Sequence, residues 1–397
     1  MFMNSRTGWA RTELEGLENE GRLIPIRTLE GPQGAWVTIE GKKVLNMCSN
    51  NYLGLANHPE VRKAAQRAID EFGMGAGAVR SIAGTNSLHA KLEAVLAEFK
   101  HFDSSLVYQG GLLANLGSIP VLVGKEDVIF SEELNHASII DGVRLSSARR
   151  VVYRHLDMDD LRRQLSEHRK EGRKALIITD GVFSMDGDIA PLPDIAKLGE
   201  EFDAMVYVDD AHGEGVLGDH GRGIVDHFHL TGKVDMEMGT FSKALGGMGG
   251  FVASDSGIIA LMKQRSRPLL FSSALNPGDA ASILRSLEIM KSDDSYLQKL
   301  WENARKLKEG LVESGYNLGD SKTPITPVMI GSEKLTLDLS RALYQESNVF
   351  ASPIVFPTVA RGSARIRLMP SAVHSDEDIS YAVESFRKQG AKLGIIK

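Results

Sequence analysis

The stretch TFSKALGGMGG sets Lys243 behind two hydroxyl residues, Thr240 and Ser242, and ahead of Gly246, Gly247, Gly249 and Gly250. Surface lysines usually stand among other charges, whereas this amine stands where bulk has been stripped away, which suits a nucleophile or a base. Other reactive or binding groups follow short apolar runs in the same way. Gln109-Gly110-Gly111 follows SSLVY and opens into LLANLGSI, Asn135-His136 follows DVIF and its polar turn, and Ser184 follows KALIITDGVF. Asp209, Asp210 and His212 follow AMVYV. A glycine turn opening a helix presents backbone N–H groups and the helix dipole to an anion, most often phosphate. Each group alone has an ordinary structural reading, as a cap, a turn or a solvated lysine. Their joint occurrence at successive strand ends argues for one crevice, because ligands of open parallel α/β sheets bind at the carboxyl ends of the strands.

Pyridoxal phosphate answers to that set. Its aldehyde needs an amine to form a Schiff base, and its pyridine nitrogen needs a carboxylate to stay protonated and act as an electron sink. Its ring face accepts a stacked imidazole, and its phosphate suits a helix N-terminus with hydroxyl donors. Desolvation and the cationic ring would lower the lysine's pKa, so that it serves as a base near neutral pH. Asp209 and Asp210 both remain open as the carboxylate. Competing signals fail. Gly73, Gly75 and Ala78 fit a dinucleotide fingerprint only formally, because the helical VRKAAQRAIDEF precedes them where a strand is required. The chain contains no GK followed by Ser or Thr, no CxxC, no HExxH and no G-x-S-x-G, so neither a P-loop, a zinc site nor a hydrolase elbow is expected. No metal is expected.

The elements that must position these groups can be read from the same 397 residues, a length that favours more than one domain. From about residue 50 to 285, strand-like runs alternate with helical patterns such as PLPDIAKLGEEFD (191–203), the signature of an α/β unit with a largely parallel sheet. WVTIEGKKVLNM (36–47) reads as a hairpin turning at Gly41-Lys42, and residues 12–21 as a short polar helix. After residue 285 the pattern changes to a long helix over 295–315, strands at ITPVMIG and ARIRLMPS, and helices at LTLDLSRALYQES and from Ser375 onward. The expected division is an N-terminal helix and hairpin (1–49), a large cofactor-binding domain (50–285) and a smaller α+β domain (286–397). A net charge of −6 gives no reason to expect nucleic acid. One cysteine, Cys48, excludes an intrachain disulfide and fits a cytoplasmic setting. No signal-peptide core and no run of ~18 apolar residues is present, so no membrane association is expected.

AGTNSLHAKLE, NHASIIDGVRLS, DGVFSMDGDIAPL, VDDAHGEGVLGDHGRG, GTFSKALGG and ARIRLMPSAVH together resemble the α-oxoamine synthases, over nearly the whole chain from about residue 50. These are pyridoxal-phosphate enzymes of fold type I that join an amino acid to an acyl-CoA. The resemblance implies that Lys243 carries the cofactor, that Asp209 pairs with the pyridine nitrogen, and that His136 stacks on the ring. Ser184 and His212 would bond the phenolic oxygen. Gly111 and Leu112 would give backbone N–H groups to the phosphate, with the hydroxyl of Thr240. In a homodimer, Ser272 or Ser273 would reach the phosphate of the other subunit. Asn51 would lie near the substrate and Arg367 would hold its carboxylate. Around Gly110 to Leu112 relatives often carry serine or cysteine with a bulky aromatic, so a side-chain contact there is not carried over. Within the family, QRSRPLLFSSAL (264–275) and the ending KQGAKLGIIK look most like the glycine C-acetyltransferase (2-amino-3-ketobutyrate CoA ligase) branch, which joins glycine to acetyl-CoA. The alternative is the 8-amino-7-oxononanoate synthase branch, which takes alanine and a pimeloyl thioester and releases carbon dioxide, or a broad-specificity enzyme doing both.

Overall fold

The computed structural model describes residues 5–19 and 26–397. Fourteen strands lie among them. In chain order they are β1 (Leu29–Glu30), β2 (Trp36–Ile39), β3 (Lys42–Asn46), β4 (Ser104–Tyr108), β5 (Val128–Glu132), β6 (Arg149–Tyr153) and β7 (Ala175–Asp180). These are followed by β8 (Met205–Asp209), β9 (Met236–Thr240), β10 (Gly250–Ser254), β11 (Thr326–Gly331), β12 (Val349–Phe350), β13 (Ser352–Ile354) and β14 (Ala364–Leu368).

Seven strands form the central sheet in the order β4-β10-β9-β8-β7-β5-β6. All its ladders are parallel except those of β10, which runs antiparallel to both β4 and β9. Every residue of β5, β7, β9 and β10 is buried, because helices cover both faces of the sheet. Leu106, Ile129, Ile178 and Tyr207 pack into one apolar cluster, while their strand neighbours Val107, Phe130, Ile177 and Val208 pack into another. That is the period-two alternation of a two-faced sheet. The result is the mostly parallel α/β architecture of fold type I.

A three-stranded antiparallel sheet, β11-β14-β13, and the helices Ser295–Glu313, Glu333–Ser347 and Asp376–Lys392 surround a separate core containing Leu307, Leu311, Val328, Leu339, Ile366 and Phe386. Leu45 and Met47 belong to that core too, since β3 pairs in parallel with β12. Ser375 caps the last helix in a reciprocal capping box with Asp378. The N-terminal helix runs Trp9–Asn19, so residues 20 and 21 of its expected span lie outside the described residues. The hairpin turns one residue earlier than its sequence suggests. Glu40 and Gly41 occupy the loop with φ of 52° and 78°, as a tight type I′ connection requires, and Lys42 is already in β3. Among the described residues, no helix is long and apolar enough to cross a membrane.

Candidate active site

The carboxyl ends of β4, β5, β7, β8 and β9 open on a cavity of about 190 Å³. Its lining includes Gly111, Leu112, His136, Ser184, Asp209, His212, Thr240 and Lys243. It also includes Ser242, noted in the sequence as a hydroxyl beside Lys243, and Ser138, Asp180, Ala211 and Met238, which the sequence did not single out. Lys243 leaves the end of β9 in a turn that returns as β10. Two glycines of the stretch are required by close approach. A side chain on Gly246, whose φ is 70°, would overlap the backbone of Leu55 and Ala56, and a Cβ on Gly250 would come 2.8 Å from the backbone of Gly111. Burial lowers Lys243 to about 8, although Asp209 and Asp180 pull the other way. No carboxylate lies within ion-pair distance of its Nζ among the described residues.

Asp209 and Asp210 are adjacent in sequence and face opposite ways. Asp209 lines the cavity, where Oδ2 accepts from Asn115 Nδ2 at 2.7 Å and Oδ1 from the backbone N–H of Ala211 at 3.1 Å. Asp210 turns to the other side, accepting from Ile224 N at 2.9 Å and standing 3.8 Å from Lys100 Nζ. There it joins Glu214 and Glu237 around the same ammonium, and all four side chains are buried. His212 is buried and held well below its ordinary pKa by desolvation and by the charge of Lys243, so its imidazole is neutral. Its Nδ1 lies 2.8 Å from Tyr52 Oη. Burial likewise lowers His136. Asp180 is pushed well above the carboxylate range by burial and by Asp209, while its Oδ2 accepts from the backbone of His136 at 2.7 Å.

The helix Gly111–Leu122 begins at the cavity, and its N-cap residue Gly110 offers no side-chain oxygen to the first-turn N–H groups. Those donors are therefore available to an anion. A Cβ on Gly111 would press on Thr240 Oγ1 and Cβ at 3.1 and 3.2 Å, so the position is shaped as an empty cradle under the Thr240 hydroxyl. An enclosed lysine amine, a carboxylate, two neutral imidazoles and an uncapped helix start converge here. These residues fit pyridoxal phosphate.

The remaining expected residues lie at the margins. Arg367, on β14, donates Nη1 to the carbonyl of Ser184 at 3.0 Å. Its neighbour Arg365 pairs with Asp186 in the same loop. Asn51 is outside the cavity lining; its Oδ1 accepts from Ala56 N at 3.1 Å, and its carbonyl accepts from Ser371 Oγ at 2.7 Å. Ser272 and Ser273 stand beside Gln109 of their own chain, whose Nε2 donates to both backbone carbonyls, and neither hydroxyl lines that chain's cavity. The loop carrying Ser184 is clamped from behind by His155. Its Nδ1 meets Glu132 at 2.6 Å, its Nε2 meets Asp188 at 3.2 Å, and its ring stands edge-on to Phe183. His155, Asn115 and Tyr52 touch other side chains rather than the cavity, and none carried a strand-end signal in the sequence, since the strand before His155 is an edge strand with exposed arginines.

Residues 42–386 match the family model described as aminotransferase class I and II. The chain is 54% identical over 384 residues to a protein of Thermosipho melanesiensis named 8-amino-7-oxononanoate synthase, covering 97% of this chain and 98% of the relative. A Petrotoga mobilis protein of the same name is 55% identical over 387 residues, with the same coverage. Among solved structures, a serine palmitoyltransferase of Sphingomonas wittichii superimposes over the full length of both chains, with TM-score 0.94 and 32% identity. An 8-amino-7-oxononanoate synthase of Francisella tularensis superimposes with TM-score 0.74 and 26% identity over 88% of this chain and 98% of that one. The expectation of glycine acetylation is corrected by these relatives, which carry the name of the alternative branch. The two stretches behind that expectation could not decide it. Residues 264–275 and the C-terminal helix and tail contribute no residue to the lining of their own chain's cavity.

Proposed function

The chain belongs to the class I and II aminotransferase family and, within it, to the α-oxoamine synthases, which are pyridoxal-phosphate-dependent acyltransferases; from that premise we propose that it is an 8-amino-7-oxononanoate synthase. It joins L-alanine to a pimeloyl thioester, releasing carbon dioxide and the thiol, in biotin synthesis. The observation that carries this reading is the name borne by relatives 54% and 55% identical over 97% of the chain.

Pyridoxal phosphate, when bound, supplies an electron sink for negative charge at the amino acid's α-carbon. The chain's own groups do the rest. Lys243, lowered to about 8, holds the cofactor and moves the α-proton, a task suited to an amine that titrates near the working pH. Asp209 keeps the ring nitrogen protonated, and His136 covers the ring. Ser184 and the neutral His212 bond the phenolic oxygen. The N–H groups of Gly111 and Leu112 and the Thr240 hydroxyl hold the phosphate. Arg367 grips the amino acid's carboxylate with two parallel N–H donors. Asn51 stands near the same substrate, with its Nδ2 free of the bond that Oδ1 makes to Ala56.

The active unit is a homodimer in which Ser272 or Ser273 reaches the other subunit's phosphate. Exposed apolar side chains support this: Leu112, Ile82 and Phe271 are 52%, 82% and 73% exposed on segments that border the cavity or Ser272. The division into residues 1–49, 50–285 and 286–397 belongs to the same reading, with the cofactor in the middle unit. The test is a matrix of alanine, glycine and serine against pimeloyl-, acetyl- and palmitoyl-CoA, with carbon dioxide release measured and Lys243→Ala as the blank. Alanine with pimeloyl-CoA should dominate, with stoichiometric carbon dioxide. Dominance of another pair, or condensation without carbon dioxide, overturns the assignment.

A further inference from the structure

Behind the cavity wall, one buried amide joins two of its walls. Asn115 is fully buried one turn into the helix Gly111–Leu122, on the same face as Gly111. Its Nδ2 donates to Asp209 Oδ2 at 2.7 Å and to Ser138 Oγ at 2.9 Å. Its Oδ1 accepts from Tyr207 Oη at 2.6 Å. The amide cannot be flipped, because an ionised carboxylate only accepts hydrogen bonds and must face the NH₂ side. Tyr207 precedes Asp209 by two residues on β8, so both point to the same face of the sheet and meet the same amide.

The chain of donors continues to His136. Ser138 Oγ lies 2.7 Å from His136 Nδ1, and the backbone N–H of Ser138 reaches the same nitrogen at 3.3 Å. A backbone N–H can only donate, so Nδ1 is the acceptor and carries no proton in the neutral ring. The Ser138 hydroxyl therefore also donates to Nδ1, and the imidazole proton sits on Nε2. Ser138 can donate in that direction because Asn115 supplies the bond that its oxygen accepts.

We propose that Asn115 is a positioning residue that locks the Asp209 carboxylate and, through Ser138, the Nε2–H tautomer of His136 into one unit across the cofactor cavity. The inference rests on the cofactor reading of that cavity for its effect on binding, while the hydrogen-bond chain can be tested without cofactor.

Two measurements separate these parts. In cofactor-free protein labelled with ¹⁵N-histidine, the His136 resonance (identified by His136→Gln) should report unprotonated, hydrogen-bonded Nδ1, and Ser138→Ala should shift it, because the hydroxyl bond is lost while the backbone N–H of residue 138 still donates to Nδ1. An unchanged resonance in Ser138→Ala overturns the bridge, whether or not the cofactor reading stands. In titrations with pyridoxal phosphate, Asn115→Ala should weaken binding roughly 10- to 100-fold, as loss of a hydrogen bond to a charged group does. Adding Ser138→Ala to it should cost little more, because the two act in series. Asn115→Asp keeps the volume and removes the donor. The titratable groups around it are Asp209, Tyr207, Asp180, His136 and Lys243. Its binding deficit should shrink as pH falls and the new carboxyl gains a proton to donate to Asp209, a recovery that a packing role would not produce. Folded Asn115→Asp and Asn115→Ala that bind within twofold of wild type at every pH overturn the proposal. Failure of the wild type itself to bind overturns the cofactor reading and leaves the histidine result to decide the bridge.

Discussion

Lys100→Met isolates the electrostatics of the cluster beneath Asp209. Lys100 Nζ stands 2.9 Å from Glu214, 3.8 Å from Asp210 and against Glu237, and it donates to the carbonyl of Arg222. All four side chains are about 99% or more buried. Burial works to lower the lysine's pKa, but three carboxylates outweigh it and hold the ammonium charged. The same burial raises Asp210 and Glu214 and pushes Glu237 up to about 7, so Glu237 is only partly ionised near neutrality. Methionine retains the length of the side chain and removes the cation that pairs with all three acids. Removing one partner of a buried ion pair costs about 3–5 kcal/mol, because the remaining charge is left uncompensated. The sign with pH follows from the acids. A carboxylate whose folded pKa is raised above the unfolded ~4.3 destabilises the fold as pH climbs from that value through the raised one. Without the ammonium those folded values rise further, so the deficit should be largest near pH 8 and shrink to about half near pH 5.5. Urea unfolding of the cofactor-free protein, followed by tryptophan fluorescence at one protein concentration, measures it. Adding Glu214→Gln and Glu237→Gln to Lys100→Met should recover most of the loss. A single mutant within ~1 kcal/mol of wild type near pH 8, or a deficit independent of pH, would refute the reasoning.

Two smaller perturbations follow from geometry on the cavity side. Gly111→Ala puts a methyl against Thr240, so affinity for pyridoxal phosphate should fall about 3- to 10-fold, consistent with the ~1 kcal/mol of modest overpacking. The melting temperature of the cofactor-free protein should stay within ~2 °C, since alanine suits a helix start; unchanged affinity would show that the cradle is loose. His155, raised to about 9 because Asp188 and Glu132 outweigh its burial, contributes stability that is complete below the unfolded value of ~6.5 and is lost as pH rises to about 9. The ceiling is ~3 kcal/mol, and about half of that remains once screening of a partly exposed side chain is allowed for. His155→Gln should remove that slope from urea midpoints measured across the window, and parallel curves for the two proteins would exclude the clamp.

The groups that stand at strand ends were legible because each ends an apolar run, and a parallel sheet collects such ends on one edge. Lys243, Asp209, His136 and Thr240 stand together for that reason. Choosing Asp209 over Asp210 required the phase of β8, which a run buried on both faces does not reveal. β6 was missed because RRVVY is an edge strand with exposed arginines, so its apolar signal is weak. The hairpin turn slipped by one residue because the expected glycine-first loop placed Gly41 first, whereas Glu40 also accepts positive φ. Asn115, Tyr52 and Asp180 act through tertiary hydrogen bonds between elements far apart in sequence, for which a single chain carries no periodic mark. The acyl substrate was misjudged from segments that do not line their own chain's cavity.

The antiparallel strand β10 has a bearing on the order in which the site can be made. It is hydrogen-bonded to β4 on one side and to β9 on the other, so the glycine turn after β4 and the lysine after β9 become neighbours only across it. A growing chain on the ribosome that has already produced Gly111, Asp209 and Lys243 still has a missing rail between the first strand of the sheet and the rest. Ser254 must emerge before that rail is complete. A nascent fragment ending before β10 would therefore hold Lys243 without the strand that sets it beside the glycine turn after β4.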